Sequence, residues 1–183
     1  MGIMDIIKIE IEGLAIIKPQ VFHDDRGYFF ESWSKEMFEK NGIVGDFLQD
    51  NQSLSMKGVL RGLHFQNPPY EQGKLVRVIK GSVVDVAVDI RKDSPTYGEH
   101  VSVHLTEDNK NMFWIPPGFA HGFITLEDNT IFSYKCTNIY NKESEGTLMW
   151  NDEDLNIDWH TPTPIVSEKD EQGINFKNFK TKF

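Results

Sequence analysis

Gly58-Val59-Leu60-Arg61-Gly62-Leu63-His64-Phe65-Gln66-Asn67-Pro68-Pro69-Tyr70-Glu71-Gln72-Gly73-Lys74 is a strand, a turn and the first residue of a further strand. Residues 59–66 carry strand-type residues, and the Pro- and Gly-rich run after them breaks the pattern as a turn does. The stretch places one histidine in an apolar run and a lysine at the start of the next. Proton transfer at carbon needs such parts: an imidazole that titrates near neutral pH and a cation that stabilises the oxyanion. In strand register Leu60, Gly62, His64 and Gln66 share one face, and Val59, Arg61, Leu63 and Phe65 the other. Arg61 and His64 can therefore line one site only if Gly62 marks a bulge or bend. The same pattern also suits a core histidine satisfied by one hydrogen bond.

Working outward, the dominant period stays at two. Ile7, Ile9 and Ile11 alternate with Lys8, Glu10 and Glu12, which predicts a half-exposed strand. His23-Asp24-Asp25-Arg26-Gly27 is turn-rich and opens onto an aromatic strand over 28–33. A single short helix is predicted over 34–41, with Ser34 as N-cap and Gly42 as its stop. Strands then recur at 47–53, 59–66, 74–80, 83–90, 100–105, 111–115, 121–126, 130–137 and 147–150, joined by turn residues. The chain is all-β, and many short strands joined by turns favour a sandwich or closed barrel, which hides the apolar faces and most edges. No linker or repeat interrupts it, so 1–183 is expected to be one domain, with the polar tail over 168–183 left unplaced by its sequence.

Composition narrows the function. Apolar residues at 39%, with 13 Phe, 5 Tyr and 4 Trp, indicate a folded globular protein. The N-terminal residues Met1-Gly2-Ile3-Met4-Asp5-Ile6-Ile7-Lys8 lack a basic leader followed by a long apolar core, and no apolar run approaches the ~20 residues of a membrane span; a cytoplasmic protein is expected. Cys136 is the only cysteine, so no intrachain disulfide or cysteine-based metal cluster can form, and a buried inert thiol is expected. Nineteen Lys and Arg against 28 Asp and Glu give a net charge of −9, which argues against a general nucleic-acid or anionic-membrane binder. An anionic small ligand would need a local basic cluster, for which Arg26, Arg61, Lys74 and Arg77 are candidates.

Pro116-Pro117-Gly118-Phe119-Ala120-His121 delivers a second histidine from a proline-rich turn. Taken with Gly58, His64, Gln66 and Glu71, it resembles the two motifs of the cupin superfamily. Metal-binding cupins carry His-x-His in the first motif, and here Gln66 stands in place of the second histidine. An amide oxygen is a poorer transition-metal ligand than imidazole; a metal enzyme using His64, Glu71 and His121 is therefore the weaker reading. His100 and His104 are expected to face solvent. Tyr134 is either core or, in a water-poor cavity, a proton donor. Asp170 in Ser167-Glu168-Lys169-Asp170 fits a capping box, and the alternative is a carboxylate that orients a histidine.

Longer motifs are more specific. Asp25-Arg26-Gly27-Tyr28-Phe29-Phe30-Glu31, Gln49-Asp50-Asn51, the stretch 58–66, Gln72-Gly73-Lys74-Leu75-Val76-Arg77, Asp85-Val86-Ala87-Val88-Asp89-Ile90-Arg91, Trp114-Ile115-Pro116, His121-Gly122-Phe123 and Ser144-Glu145-Gly146 resemble the dTDP-4-dehydrorhamnose 3,5-epimerase family in one order across 16–170. The resemblance implies a cupin-type jelly-roll β-sandwich without metal or other cofactor, usually a homodimer, acting on dTDP-4-dehydro-6-deoxy-D-glucose. It implies His64 as base, Asp170 as its partner, Lys74 at the O4 oxyanion and Tyr134 as acid on the other face. Arg26 and Arg61 would meet the pyrophosphate. Glu31, Gln49, Asp50 and Asn51 would serve the nucleoside, Tyr140 would stack on thymine, and His121, Glu145 and Lys169 would complete the substrate site. Gln52 and Phe65 depart from a common His and Tyr. Related enzymes epimerise C3 alone or shift the ketone, and Tyr134 favours the double epimerisation; a non-catalytic nucleotide-sugar binder is the third alternative.

Overall fold

A computed structural model describes residues 4–183; Met1, Gly2 and Ile3 lie outside the described residues, and with them part of the leader reading. In chain order the strands are β1 (Met4–Lys8), β2 (Ala15–Pro19), β3 (Phe22–Asp24), β4 (Gly27–Phe29), β5 (Gln49–Ser55), β6 (Leu60–Gln66), β7 (Lys74–Lys80), β8 (Ser82–Asp89), β9 (His100–Thr106), β10 (Met112–Ile115), β11 (Phe119–Thr125), β12 (Thr130–Cys136) and β13 (Glu145–Thr147). One α-helix, α1 (Lys35–Lys40), follows β4, and two 3-10 turns, Asp170–Gln172 and Phe176–Asn178, lie near the C-terminus.

The strands form two antiparallel sheets, ordered β1-β2-β10-β7-β12-β5 and β13-β6-β11-β8-β9, plus the hairpin of β3 and β4. Alternation decides which side chains meet between the sheets. Val76, Val78, Phe113, Ile115 and Phe132 of the six-stranded sheet pack there on Val83, Ala87, Val103, Leu105, Phe119 and Phe123 of the five-stranded one. The outer faces are covered as well. Phe38 of α1 and Ile43 close over Ile17, Leu75, Met112 and Trp114, and the C-terminal region closes over Leu60, Leu63, Phe65, Val84, Val86 and Val88. Every residue of β8 is buried for this reason, as its near-continuous apolar run suggests. The result is the cupin-type β-sandwich that the resemblance implied. No helix among the described residues is long and apolar enough to cross a membrane.

Several expectations need correction. The first strand stops at Lys8 instead of running through Ile11. A turn with Gly13 at φ +101° comes next, and Ile11 and Leu14 bury in the inter-sheet core. β2 had no alternation to reveal it, because Ala-Ile-Ile-Lys-Pro is short and becomes a strand by pairing with β1 and β10. The aromatic strand shortens to β4, whose residues and those of β3 are all exposed. His104 faces solvent as expected, whereas His100 is half-buried and burial lowers its pKa. The tail is ordered: Phe176, Phe179 and Phe183 pack on the five-stranded sheet.

Candidate active site

The site is built where β6 and β11 cross. Their register pairs His121 with His64 but Phe123 with Arg61, so two residues of β6, Gly62 and Leu63, oppose one of β11, Gly122. This bulge sits at Gly62, whose φ is +140° and whose Cβ, if present, would lie 2.5 Å from Gly122 Cα and 2.9 Å from the His121 carbonyl oxygen. Only glycine allows that approach and that dihedral. The extra residue turns Arg61 onto the face of His64, and both line one cleft with His121 and Phe123.

Asp170 reaches His64 from the far end of the chain, its Oδ1 lying 2.5 Å from His64 Nε2. The carboxylate side chain is 3% exposed and the imidazole 30%. Ser167 Oγ accepts the Asp170 backbone N–H at 3.2 Å and the Ser167 carbonyl accepts that of Glu171 at 3.1 Å. Only half of the capping box forms: Ser167 accepts the Asp170 N–H, whereas the Asp170 carboxylate, which in a capping box would reach back to the Ser167 N–H, turns to His64, and only a three-residue 3-10 turn follows. Burial pushes this carboxyl up, but hydrogen bonds and charge from His64, with Ser167 and the Gly62 backbone, outweigh it and hold it below the usual carboxylate value.

The opposite wall belongs to the six-stranded sheet. Lys74 opens β7 with its side chain turned inward beside Cys136 and Ile115. Burial pushes its ammonium pKa down, opposed by Cys136, Asp85 and Glu145. Tyr134 of β12 is half-buried; burial and the Cys136 thiol push its phenol up, while Asn51 and Arg61 act against them. His64 and Asp170 thus face Lys74 and Tyr134 across a cleft with two lobes of about 480 and 300 Å³, both bordered by Gln52, His64, Lys74 and Tyr134.

Gln49, Asn51, Tyr140 and Glu145 line the larger lobe. Tyr140 donates its phenol to Glu145 Oε2 at 3.1 Å and its backbone N–H to Gln49 Oε1 at 2.9 Å, and Gln49 Nε2 donates to Asn51 Oδ1 at 3.1 Å. Lys169 forms an ion pair with Glu145 at the rim. Other candidates lie elsewhere. Asp50 points to the opposite face of β5, as alternation requires, and pairs with Lys135 at 2.9 Å. Arg26 is exposed on the β3–β4 hairpin, paired with Asp24, and Glu31 is not among the residues lining the cleft. Arg77 alternates away from Lys74 and sits 5.7 Å over the Phe30 ring. The basic cluster thus reduces to Arg61 and Lys74, with Lys169 added.

Asp85 was missed. It is fully buried on the inner face of β8, with its oxygens 2.9 and 3.1 Å from His121 Nε2. Burial drives both groups toward their uncharged forms, Asp85 upward and His121 downward, against their mutual attraction. The signal was available: an aspartate inside Val83-Val84-Asp85-Val86-Ala87 needs a buried partner. Gln52 and Phe65, the two departures, also border the cleft. The donor set for a metal does not assemble. Both histidine Nε2 atoms are engaged by carboxylates, and Glu71 does not line the cleft. Gln66 Nε2 donates to the Tyr70 and Ile139 carbonyls, and its Oε1 accepts the Asn141 N–H at 2.8 Å.

The arrangement can remove a proton from a carbon acid on one face, hold the resulting oxyanion, and return a proton from the other. The family model described as dTDP-4-dehydrorhamnose 3,5-epimerase matches residues 8–178. The chain belongs to the dTDP-4-dehydrorhamnose 3,5-epimerase family. It is 52% identical over 171 residues to the family member of Escherichia coli K12, covering 92% of each chain. Among solved structures it superposes with a TM-score of 0.93 and 47% identity on the 3,5-epimerase of Legionella pneumophila in complex with dTDP-4-keto-L-rhamnose, covering 97% of this chain and 95% of that one. A 3'-monoepimerase of Streptomyces bikiniensis in complex with dTDP-quinovose is similar at 29% identity and a TM-score of 0.87, over 92% of this chain and 86% of that one. The chain is thus an enzyme of the isomerase class, and the single-carbon relative defines the alternative that a test must separate.

Proposed function

We propose that the chain converts dTDP-4-dehydro-6-deoxy-D-glucose to dTDP-4-dehydro-L-rhamnose by removing and returning protons at C3 and C5. The observation that carries the assignment is the His64–Asp170 pair facing Lys74 and Tyr134 across one cleft. Hydrogens at C3 and C5 flank the C4 ketone, so loss of either gives an enolate. His64 takes the proton and Asp170 holds the imidazole. Lys74 bears the O4 charge, and Tyr134 returns a proton to the opposite face of the ring. Arg61 meets the pyrophosphate, Gln49, Asn51 and Tyr140 hold the nucleoside, and His121, Glu145 and Lys169 hold the sugar end. Arg26 and Glu31 join the site only from a second copy, in a homodimer, whereas Asp50, turned away from this chain's cleft and paired with Lys135, is left out of the reading. The reading takes 1–183 as one domain, working in the cytoplasm without metal or other cofactor.

Turnover in heavy water tests it. Deuterium is expected at both C3 and C5 of the product, and His64→Ala is expected to abolish both incorporations. Label at C3 alone would replace the double epimerase by a single one. Tight dTDP binding without exchange would leave a binding module.

A further inference from the structure

Asp170 meets His64 across 106 residues of chain, and two isolated backbone bridges hold the segment that delivers it. Before the turn, the Leu60 N–H donates to the Ile165 carbonyl at 2.9 Å, and the Ile165 N–H to that of Gly58 at 2.8 Å. After it, the Ile174 N–H donates to the Thr147 carbonyl and the Met149 N–H to that of Ile174, both at 2.9 Å. Both bridges are parallel in an otherwise antiparallel fold. Between them the 3-10 turn passes the edge of β6, and Gly173 is pressed so close that a Cβ there would lie 2.6 Å from the Met149 nitrogen.

The second bridge is not held by its own side chain, because Ile174 is 49% exposed. Its anchorage comes from residues 176–183. The Phe176 N–H donates to Asp152 Oδ2 at 2.7 Å, and the Phe176 ring lies 5.1 Å from that of Tyr97. The Phe179 ring packs edge-on to Phe65, with centroids 5.3 Å apart. The Phe183 carbonyl accepts the Lys92 N–H at 3.2 Å. Phe65 is the neighbour of His64 in β6 and belongs to the outer cluster. The tail therefore grips the back of the strand whose front carries the proposed base.

We propose that residues 174–183 form a strap in which Phe179 is a positioning residue: packed on Phe65 behind β6, it keeps the Asp170 turn in register with His64. The inference rests on the reading of His64 and Asp170 as a working pair. Functional groups must be held within ~0.5 Å of their productive geometry, and a 1 Å misplacement can cost about 100-fold in rate. A tail that merely covers apolar surface would, when weakened, lower stability and leave the rate of the folded enzyme unchanged.

A double-mutant cycle on the full chain separates the two, with rates taken well below each variant's thermal transition. Phe179→Ala is expected to lower kcat roughly 10- to 100-fold with little change in KM, and Phe179→Leu to restore part of the loss. In an Asp170→Asn background, Phe179→Ala is expected to cost nothing further, because the group it positions is gone. An unchanged kcat in Phe179→Ala, or the full additional loss in the Asp170→Asn background, overturns the strap. If Phe179→Ala does not fold, Phe179→Leu carries the same comparison with a smaller loss. An Asp170→Asn enzyme with wild-type kcat overturns the reading of the pair itself, and the strap with it.

Discussion

A half-buried ammonium is an expensive choice for a cleft floor, and the proposed role of Lys74 at the O4 oxyanion gives it a reason. Burial disfavours its charged form and pushes its pKa below the ordinary 10.5. An enolate oxygen, however, is stabilised by a fixed positive charge far more strongly there than in water. Below its folded pKa Lys74 carries that charge, and as pH rises through that pKa the charge is lost. The alkaline limb of kcat is therefore expected below pH 10.5. Lys74→Arg, whose charge persists, should move that limb upward although its different shape costs activity. Lys74→Met should lower kcat by about 10² to 10³. A pH–rate profile of the three enzymes is the measurement, and a limb that does not move in Lys74→Arg would remove Lys74 from the charge-bearing role.

Among the elements, the bulge of β6 decides whether there is a site at all. Gly62 and Gly122 meet backbone to backbone, and the register shift they permit sets Arg61 beside His64. Gly62→Ala adds a Cβ that collides with Gly122 Cα and demands a dihedral that alanine resists. The cost should be about 2–4 kcal/mol, compounding backbone strain and overpacking. Gly58→Ala is the control: its φ is +81°, but a Cβ there meets nothing within 4 Å, so it should cost only about 1 kcal/mol. Urea unfolding of both variants checks this, and equal losses would mean that the close approach is not what fixes the bulge. The helix α1 is a contrasting element. Its boundaries were legible from Ser34 and Gly42, yet Ser34 makes no side-chain cap bond. What anchors the helix is Phe38, 1% exposed against the outer core.

At the scale of the whole molecule, one carboxylate ties the end of β8 to the loop after it. Asp89 is fully buried and accepts from Arg91 Nε at 2.9 Å, Ser94 Oγ at 2.6 Å and Thr96 Oγ1 at 2.7 Å. Burial alone would raise its pKa, but these bonds win and lower it from 3.8 to about 2. A carboxyl with a depressed folded pKa contributes stability above its unfolded value, and that contribution is lost as pH falls from about 4 to 2. Asp89→Asn should cost about 2 kcal/mol at pH 7, and its deficit should narrow as the urea midpoints of both proteins are followed from pH 5 to 3. A deficit that stays constant would locate the cost in packing instead. The sequence by itself determined the all-β class, most strand positions and the pairing of a histidine strand with a following lysine, because period-two alternation and turn residues act over a few neighbours. It could not determine which face Arg61 takes, since that depends on Gly62 pressing against a strand about 60 residues away. Nor could it fix the pairing of His121 with Asp85, the strand character of β2, or the order of the tail. Asp170 shows the division most clearly: the turn that Ser167 makes with its N–H can be read from the spacing of the two residues, whereas the bond of its carboxylate to His64, in place of the capping box, exists only because the folded chain brings its end back across β6.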